Sequence, residues 1–174
     1  MPLNRIAVVG PESTGKSDLS QALASHYAAP WVPEYAREHL AQLDRPYQEA
    51  DLWDIAQGQL ALEETIAQQA GQWLMVDTNL LVISIWAAFK YGRVDPRISA
   101  AMKLDAYALH LLTDIDLPWV EDPLREHPGA RQALFDRYHA ALVEAKVPFA
   151  VIRGQGEARL QAAIRAIEAQ GLPA

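Results

Sequence analysis

The residues Gly10-Pro11-Glu12-Ser13-Thr14-Gly15-Lys16-Ser17 spell the pattern GxxxxGK(S/T). Glycines at both ends let the backbone turn its amides inward around a phosphate. Lys16, one of only four lysines in the chain, supplies a point charge for the β- and γ-phosphates. Ser17 offers a hydroxyl to Mg²⁺, and Glu12, Ser13, Thr14 and Asp18 complete the loop and the first helical turn. The start of the following helix aims its positive dipole end at the same place. The bland alternative is a coincidental glycine turn. The chemistry that fits the full pattern is binding of ATP·Mg²⁺ through its phosphates.

Such a loop needs a carboxylate near the metal. Asp77 follows the apolar run Trp73-Leu74-Met75-Val76, so a strand delivers it to the carboxyl edge of a sheet, where ligands bind. There it positions Mg²⁺ or a hydroxyl, or caps the helix that begins near Leu80, and both jobs can coexist. Asp114 and Asp116 end a later strand in the same way, with surface or capping roles as their simpler reading. Pro33-Glu34-Tyr35-Ala36-Arg37-Glu38 lies at the same sheet edge. Glu34 or Asp77 could take a proton from an acceptor hydroxyl. Arg37 could hold a ribose, phosphate or carboxylate, or simply pair with a glutamate on a surface helix. The stretch Thr113 to Gly129 holds prolines, acids and little apolar periodicity. It reads as a lid or as a plain loop. In it Arg125 could swing over the phosphates with Arg131 assisting, or both could be solvated. Tyr35, Trp53, Trp86, Tyr91 and Trp119 flank the site edge. Each is a packing residue or a platform for a planar base, and with an acidic surface they suit a planar cation.

The elements that must position these groups alternate along the chain. Short apolar runs at 6–9, 31–32, 73–76, 107–112 and 149–152 predict strands. Helical spacing predicts helices over 17–27, 48–70, 80–91, 96–105, 129–146 and 156–170. Asp95-Pro96 is a cap followed by proline at the first helical position. The alternation implies an α/β fold with a parallel sheet and right-handed crossovers. A P-loop kinase domain spanning 1–174 is expected, with five parallel strands in the order 2-3-1-4-5 and a short lid at 113–129.

Composition narrows the class. With 15 Lys+Arg against 22 Asp+Glu the net charge is −7, which argues against nucleic acid or an anionic membrane as a partner. Cysteine is absent, which removes thiol catalysis and thiolate metal sites. No signal or spanning segment stands out, so the expected address is cytoplasmic. A GTPase would need a lysine-containing guanine motif where the chain reads Thr113-Asp114-Ile115-Asp116. An oligomeric motor needs more chain for its helical lid. The oligomeric state itself stays open.

Taken together, GPESTGKS, EYARE at 34–38, Asp77-Thr78-Asn79, Trp86 with Tyr91-Gly92, and DxPWxxDxxR from Asp116 to Arg125 resemble the bacterial nicotinamide riboside kinase family. This is the kinase domain of NadR-type NAD-salvage proteins, grouped among AAA-like P-loop proteins. The resemblance runs from about Arg5 to Glu168 in this chain. It implies ATP-dependent phosphorylation of the ribose 5′-hydroxyl of nicotinamide riboside. It assigns Lys16 and Ser17 to ATP·Mg²⁺, the Glu34/Arg37 region and Asp77 to acceptor and metal, and Arg125 to the lid. Tyr35, Asn79, Trp86, Tyr91 and Trp119 join the expected acceptor wall. Longer relatives add a DNA-binding helix-turn-helix and an adenylyltransferase, and neither activity is expected here. A kinase of another nucleoside or small metabolite, or a non-catalytic ATP-binding module, are the alternatives.

Overall fold

A computed structural model describes residues 3–172, so the outermost two residues at each end of the expected 1–174 domain lie outside the described residues. Strands β1 (Asn4–Val9), β2 (Trp31–Val32), β3 (Trp73–Asp77), β4 (Leu109–Thr113) and β5 (Phe149–Ile152) form one sheet in the order β2-β3-β1-β4-β5. Every neighbouring pair is parallel, as the expected order requires. Helices α1 (Lys16–His26), α2 (Tyr35–Gln42), α3 (Asp51–Ala67), α4 (Leu80–Tyr91), α5 (Pro96–Ala101), α6 (Arg131–Ala145) and α7 (Gly156–Glu168) make the crossovers.

Alternation along β1 explains the layering. Ile6 and Val8 point to one face, where they meet Leu19 and Leu23 of α1 and Ile164 and Ile167 of α7. Ala7 and Val9 point to the other, against Leu81 and Ile85 of α4 and Leu134, Tyr138 and Leu142 of α6. Both faces are covered, which is why the strands read as unbroken apolar runs. A third cluster joins Leu52 and Ile55 of α3 to Leu80 and Ile83 of α4 and Ile98 of α5.

Several boundaries differ from the sequence expectation. The short helix α2 realises the surface-helix alternative for 33–38, which at eight residues gives too little periodic signal to stand among the main helices. The helix expected over 48–70 is confined to Asp51–Ala67. The helix opened by Asp95, whose side chain accepts from the Arg97 amide, stops at Ala101, and a 3₁₀ turn over Leu104–Ala106 follows. The fourth strand is shifted, because Tyr107 precedes the ladder rather than opening it. Segment 114–130 carries no helix or strand and folds back over the loop that follows β1.

Candidate active site

Gly10 leaves β1 with φ 142, and a Cβ there would stand 2.4 Å from Thr113 Oγ1. Only glycine fits that approach. The loop then passes through Ser13 (φ 55) and Gly15 (φ 72), both left-handed, before α1 begins. Thr14 Oγ1 donates to the Pro11 carbonyl at 2.7 Å and lies 2.7 Å from Thr113 Oγ1. Lys16 Nζ donates to the same carbonyl at 2.8 Å. Burial pulls the Lys16 ammonium below its usual range, and Glu34, Asp77 and Glu12 offset part of that.

Ser17 Oγ donates to Asp77 Oδ2 at 2.5 Å. Asp77 is 1% exposed, and its second oxygen, Oδ1, is buried without a partner. Burial, with Glu34 second, pushes the Asp77 carboxyl up to about 6, against the Ser17 hydrogen bond and the charges of Lys16 and Arg37. An unpartnered carboxylate oxygen beside a serine hydroxyl suits a divalent cation. Among the described residues no group of three or more His, Cys, Asp or Glu could hold a metal alone. Such a cation would complete its shell with phosphate and water, the habit of Mg²⁺.

A cavity of about 300 Å³ opens over this loop. Gly10 through Asp18 form one wall, so every expected loop residue lines it. Glu34, just before α2, and Ala36, Arg37 and Leu40 of α2 form a second wall. From α4 come Val82, Trp86 and Phe89, spaced i, i+4, i+7 and so on a single stripe. Leu134 and Tyr138 of α6, with Leu124, Arg125 and His127 of the overlying segment, close it. That segment is tethered from several sides. Glu12 accepts from the amides of Glu126 (3.2 Å) and His127 (3.0 Å), Arg37 pairs with Asp122 (3.0 Å), and Lys90 with Glu126 (2.8 Å). Arg125 reaches Ser13 Oγ at 3.4 Å and also donates to the Val120 carbonyl.

Besides Asp77, which is buried and meets the loop only through Ser17, five of the expected residues do not line this cavity. Tyr35 turns its ring onto α3, so close to Gly58 that a Cβ there would stand 1.9 Å from it. Asn79 caps α4, accepting from the Leu81 amide at 3.1 Å, and faces His110 at 3.2 Å. Tyr91 sits five residues beyond Trp86, about 140° around the helix, and packs with the third cluster. Trp119 donates to Glu121 at 2.9 Å outside the cavity. Arg131 lies behind the loop and donates to the carbonyls of Ser13 (3.2 Å) and Leu117 (2.8 Å). Trp53 packs against Arg97 instead, with the guanidinium 4.8 Å from the ring centre. Asp114 and Asp116 are engaged by Arg153 (2.6 Å) and Arg159 (2.7 Å). Sequence reasoning overlooked Val82, Phe89, His127, Leu134 and Tyr138. The 82/86/89 stripe was the available signal.

The geometry finds its counterparts among known proteins. The chain is 28% identical over 124 residues to the trifunctional NAD biosynthesis/regulator protein NadR of Salmonella typhimurium, covering 69% of this chain and 30% of that protein. The corresponding Escherichia coli protein matches over the same lengths and identity. The chain thus spans about a third of the curated relatives it matches. Among solved structures, a NadR protein in complex with NR superposes with a TM-score of 0.77 at 19% identity, over 97% of this chain and 51% of that one. Thymidylate kinase from Ehrlichia chaffeensis gives 0.68 at 11% identity, over 97% and 99%. At these identities the likeness is one of fold, that of the P-loop kinases. Residues 5–159 match the AAA_28 family, described as an AAA domain, and the chain belongs to that family.

Proposed function

We propose that this chain is a cytoplasmic ATP-dependent kinase, one unit over residues 1–174, that phosphorylates the ribose 5′-hydroxyl of nicotinamide riboside to give nicotinamide mononucleotide. The observation that carries the reading is a single cavity walled by the phosphate loop on one side and by Glu34, Arg37 and Trp86 on another. The similarity to NadR, one form of which was crystallised with NR, supports the choice of acceptor.

Gly10 to Ser17 with Lys16 would bind the donor phosphates of ATP, and Ser17 and Asp77 would hold Mg²⁺. The ion, when bound, supplies positive charge at the β- and γ-phosphate oxygens. Arg125, already at the mouth of the loop, adds charge on the opposite side. Glu34 lines the cavity, whereas Asp77 is buried and engaged by Ser17. This favours Glu34 as the acceptor of the 5′-hydroxyl proton while that oxygen takes the γ-phosphoryl group and ADP leaves. Arg37 holds the ribose side. The pyridinium charge would lie near Glu12 and Glu34, with the Trp86 ring available for cation–π attraction.

The test is a panel of nucleosides and nucleoside monophosphates with ATP·Mg²⁺, products read by mass spectrometry. Transfer to nicotinamide riboside above all others is expected. Transfer only to another acceptor would refute the substrate. Nucleotide binding without any transfer would refute the kinase.

A further inference from the structure

Two arginines sit behind the phosphate loop, on the side away from the cavity. Arg131, at the start of α6, donates to the carbonyl oxygens of Ser13 (3.2 Å) and Leu117 (2.8 Å). Arg159 of α7 has a side chain only 5% exposed and spreads its fork over four acceptors. Nη2 donates to the Thr14 carbonyl (2.9 Å) and the Asp114 carbonyl (3.1 Å). Nη1 donates to Asp116 Oδ1 (2.7 Å) and the Gly154 carbonyl (2.7 Å).

The consequence follows from the peptide plane. In a trans peptide the C=O and the next N–H point in opposite directions. Holding the Ser13 carbonyl outward therefore turns the Thr14 N–H the other way, and holding the Thr14 carbonyl does the same for the Gly15 N–H. Both Thr14 and Gly15 line the cavity. The two peptides lie between Ser13 (φ 55) and Gly15 (φ 72), a conformation that a free loop would hold only a fraction of the time. Successive inward amides of this kind make an anion nest.

We propose that Arg159, with Arg131 beside it, is a positioning residue for nucleotide binding: the two guanidinium groups pin the outer carbonyls of the loop, so that its amides face the donor phosphates before nucleotide arrives. The proposal rests on the reading of this loop as the donor site. Arginine suits the task because its planar fork reaches peptides from three segments at once, and a lysine point charge would not. Asp116 then has a definite role. It balances the buried Arg159 charge and accepts from the Gly154 amide at 2.6 Å.

The experiment uses the whole chain and measures tripolyphosphate and ATP binding by calorimetry alongside steady-state kinetics. Arg159→Ala is expected to weaken both ligands by about tenfold or more, since nest geometry must now be ordered on binding. The KM for nicotinamide riboside should stay within about twofold. Millimolar guanidinium should restore a large part of the lost affinity in Arg159→Ala and none in the wild type. Arg131→Met, at the half-buried start of α6, should weaken tripolyphosphate about threefold. Arg153→Met, which removes a largely exposed pair with Asp114, should change nothing. A lower melting temperature with unchanged phosphate affinity would overturn the proposal, as would loss of affinity that guanidinium cannot restore. If Arg159→Ala does not fold, unchanged affinity in Arg131→Met overturns it alone. Wild-type protein that binds tripolyphosphate yet transfers nothing to nicotinamide riboside removes the kinase reading and leaves this one to be judged on binding.

Discussion

Asp77→Asn separates the cost of burying a carboxylate from the use made of it. The Asp77 carboxyl is pushed from 3.8 up to about 6, chiefly by burial and next by Glu34. A shift of about two units corresponds to about 3 kcal/mol. The folded chain holds this proton more tightly than the unfolded chain. The stabilisation from the neutral carboxyl is therefore complete below about pH 4 and lost as pH rises through about 6. Asparagine never ionises, so near pH 7.5 the variant should be the more stable, by up to about 3 kcal/mol or 6–12 °C in melting temperature. Near pH 4 the two should melt together. Scanning calorimetry across that range reads the effect as a difference, which cancels groups common to both, such as Asp51, held at about 2 by Arg45 and the Gln48 amide. Turnover should move the opposite way, falling about 100-fold or more as the charge beside Ser17 disappears. A variant that gains no stability between pH 4 and 7.5 would refute the desolvated carboxylate. Unchanged turnover with unchanged Mg²⁺ dependence would reduce Asp77 to a strand-end residue.

Lys16→Ala should abolish transfer while leaving the melting temperature near wild type, because the ammonium is desolvated rather than paired with a carboxylate; kinetics with calorimetry checks both. Arg125→Ala should lower kcat more than ATP affinity, by about 10- to 1000-fold, as expected of a cation acting on the transferring group; an equal loss in ATP binding would contradict that role. Gly58→Ala forces the Tyr35 ring aside from a contact of 1.9 Å and should cost about 1–3 kcal/mol. Because Tyr35 opens α2, the acceptor KM should rise with ATP binding unchanged, and steady-state kinetics in both substrates distinguishes the two.

What was legible in the sequence was local. GPESTGKS carries its geometry in consecutive residues, and the strand ending at Asp77 shows itself as an apolar run stopped by a charge. The parallel sheet could be anticipated because the strands alternate with helices and read as unbroken apolar runs covered on both faces. The rest of the site depends on contacts between distant segments. Trp86 and Tyr91 look alike as candidate platforms, yet the turn of α4 puts Trp86 in the cavity wall and leaves Tyr91 outside it. Tyr35 follows Glu34 directly, but its ring is drawn onto the bare backbone of Gly58. By residue type alone Arg131 and Arg125 look like a pair of cations for the phosphates. Their acceptors separate them, and those of Arg131 are backbone carbonyls, which no residue pattern can display.

The same contacts explain how an acidic chain can receive an anion. Segment 114–130 is held over the cavity by Arg37–Asp122, Lys90–Glu126 and the Glu12 carboxylate on two amides. Pairs with this much exposure are worth about 1 kcal/mol or less each and weaken with salt. No apolar seam comparable to the sheet core seals the segment, and Val120 within it is 59% exposed. Two of the tethers engage charges that line the cavity: Asp122 pairs with Arg37, and the amides of Glu126 and His127 donate to Glu12. Were the segment displaced, Arg37 would lose Asp122 and Arg125 would lose its contact with Ser13. The net charge of −7 therefore says little about the site. A phosphate at the loop would meet Lys16 and Arg125 at close range, not the mean charge of the chain.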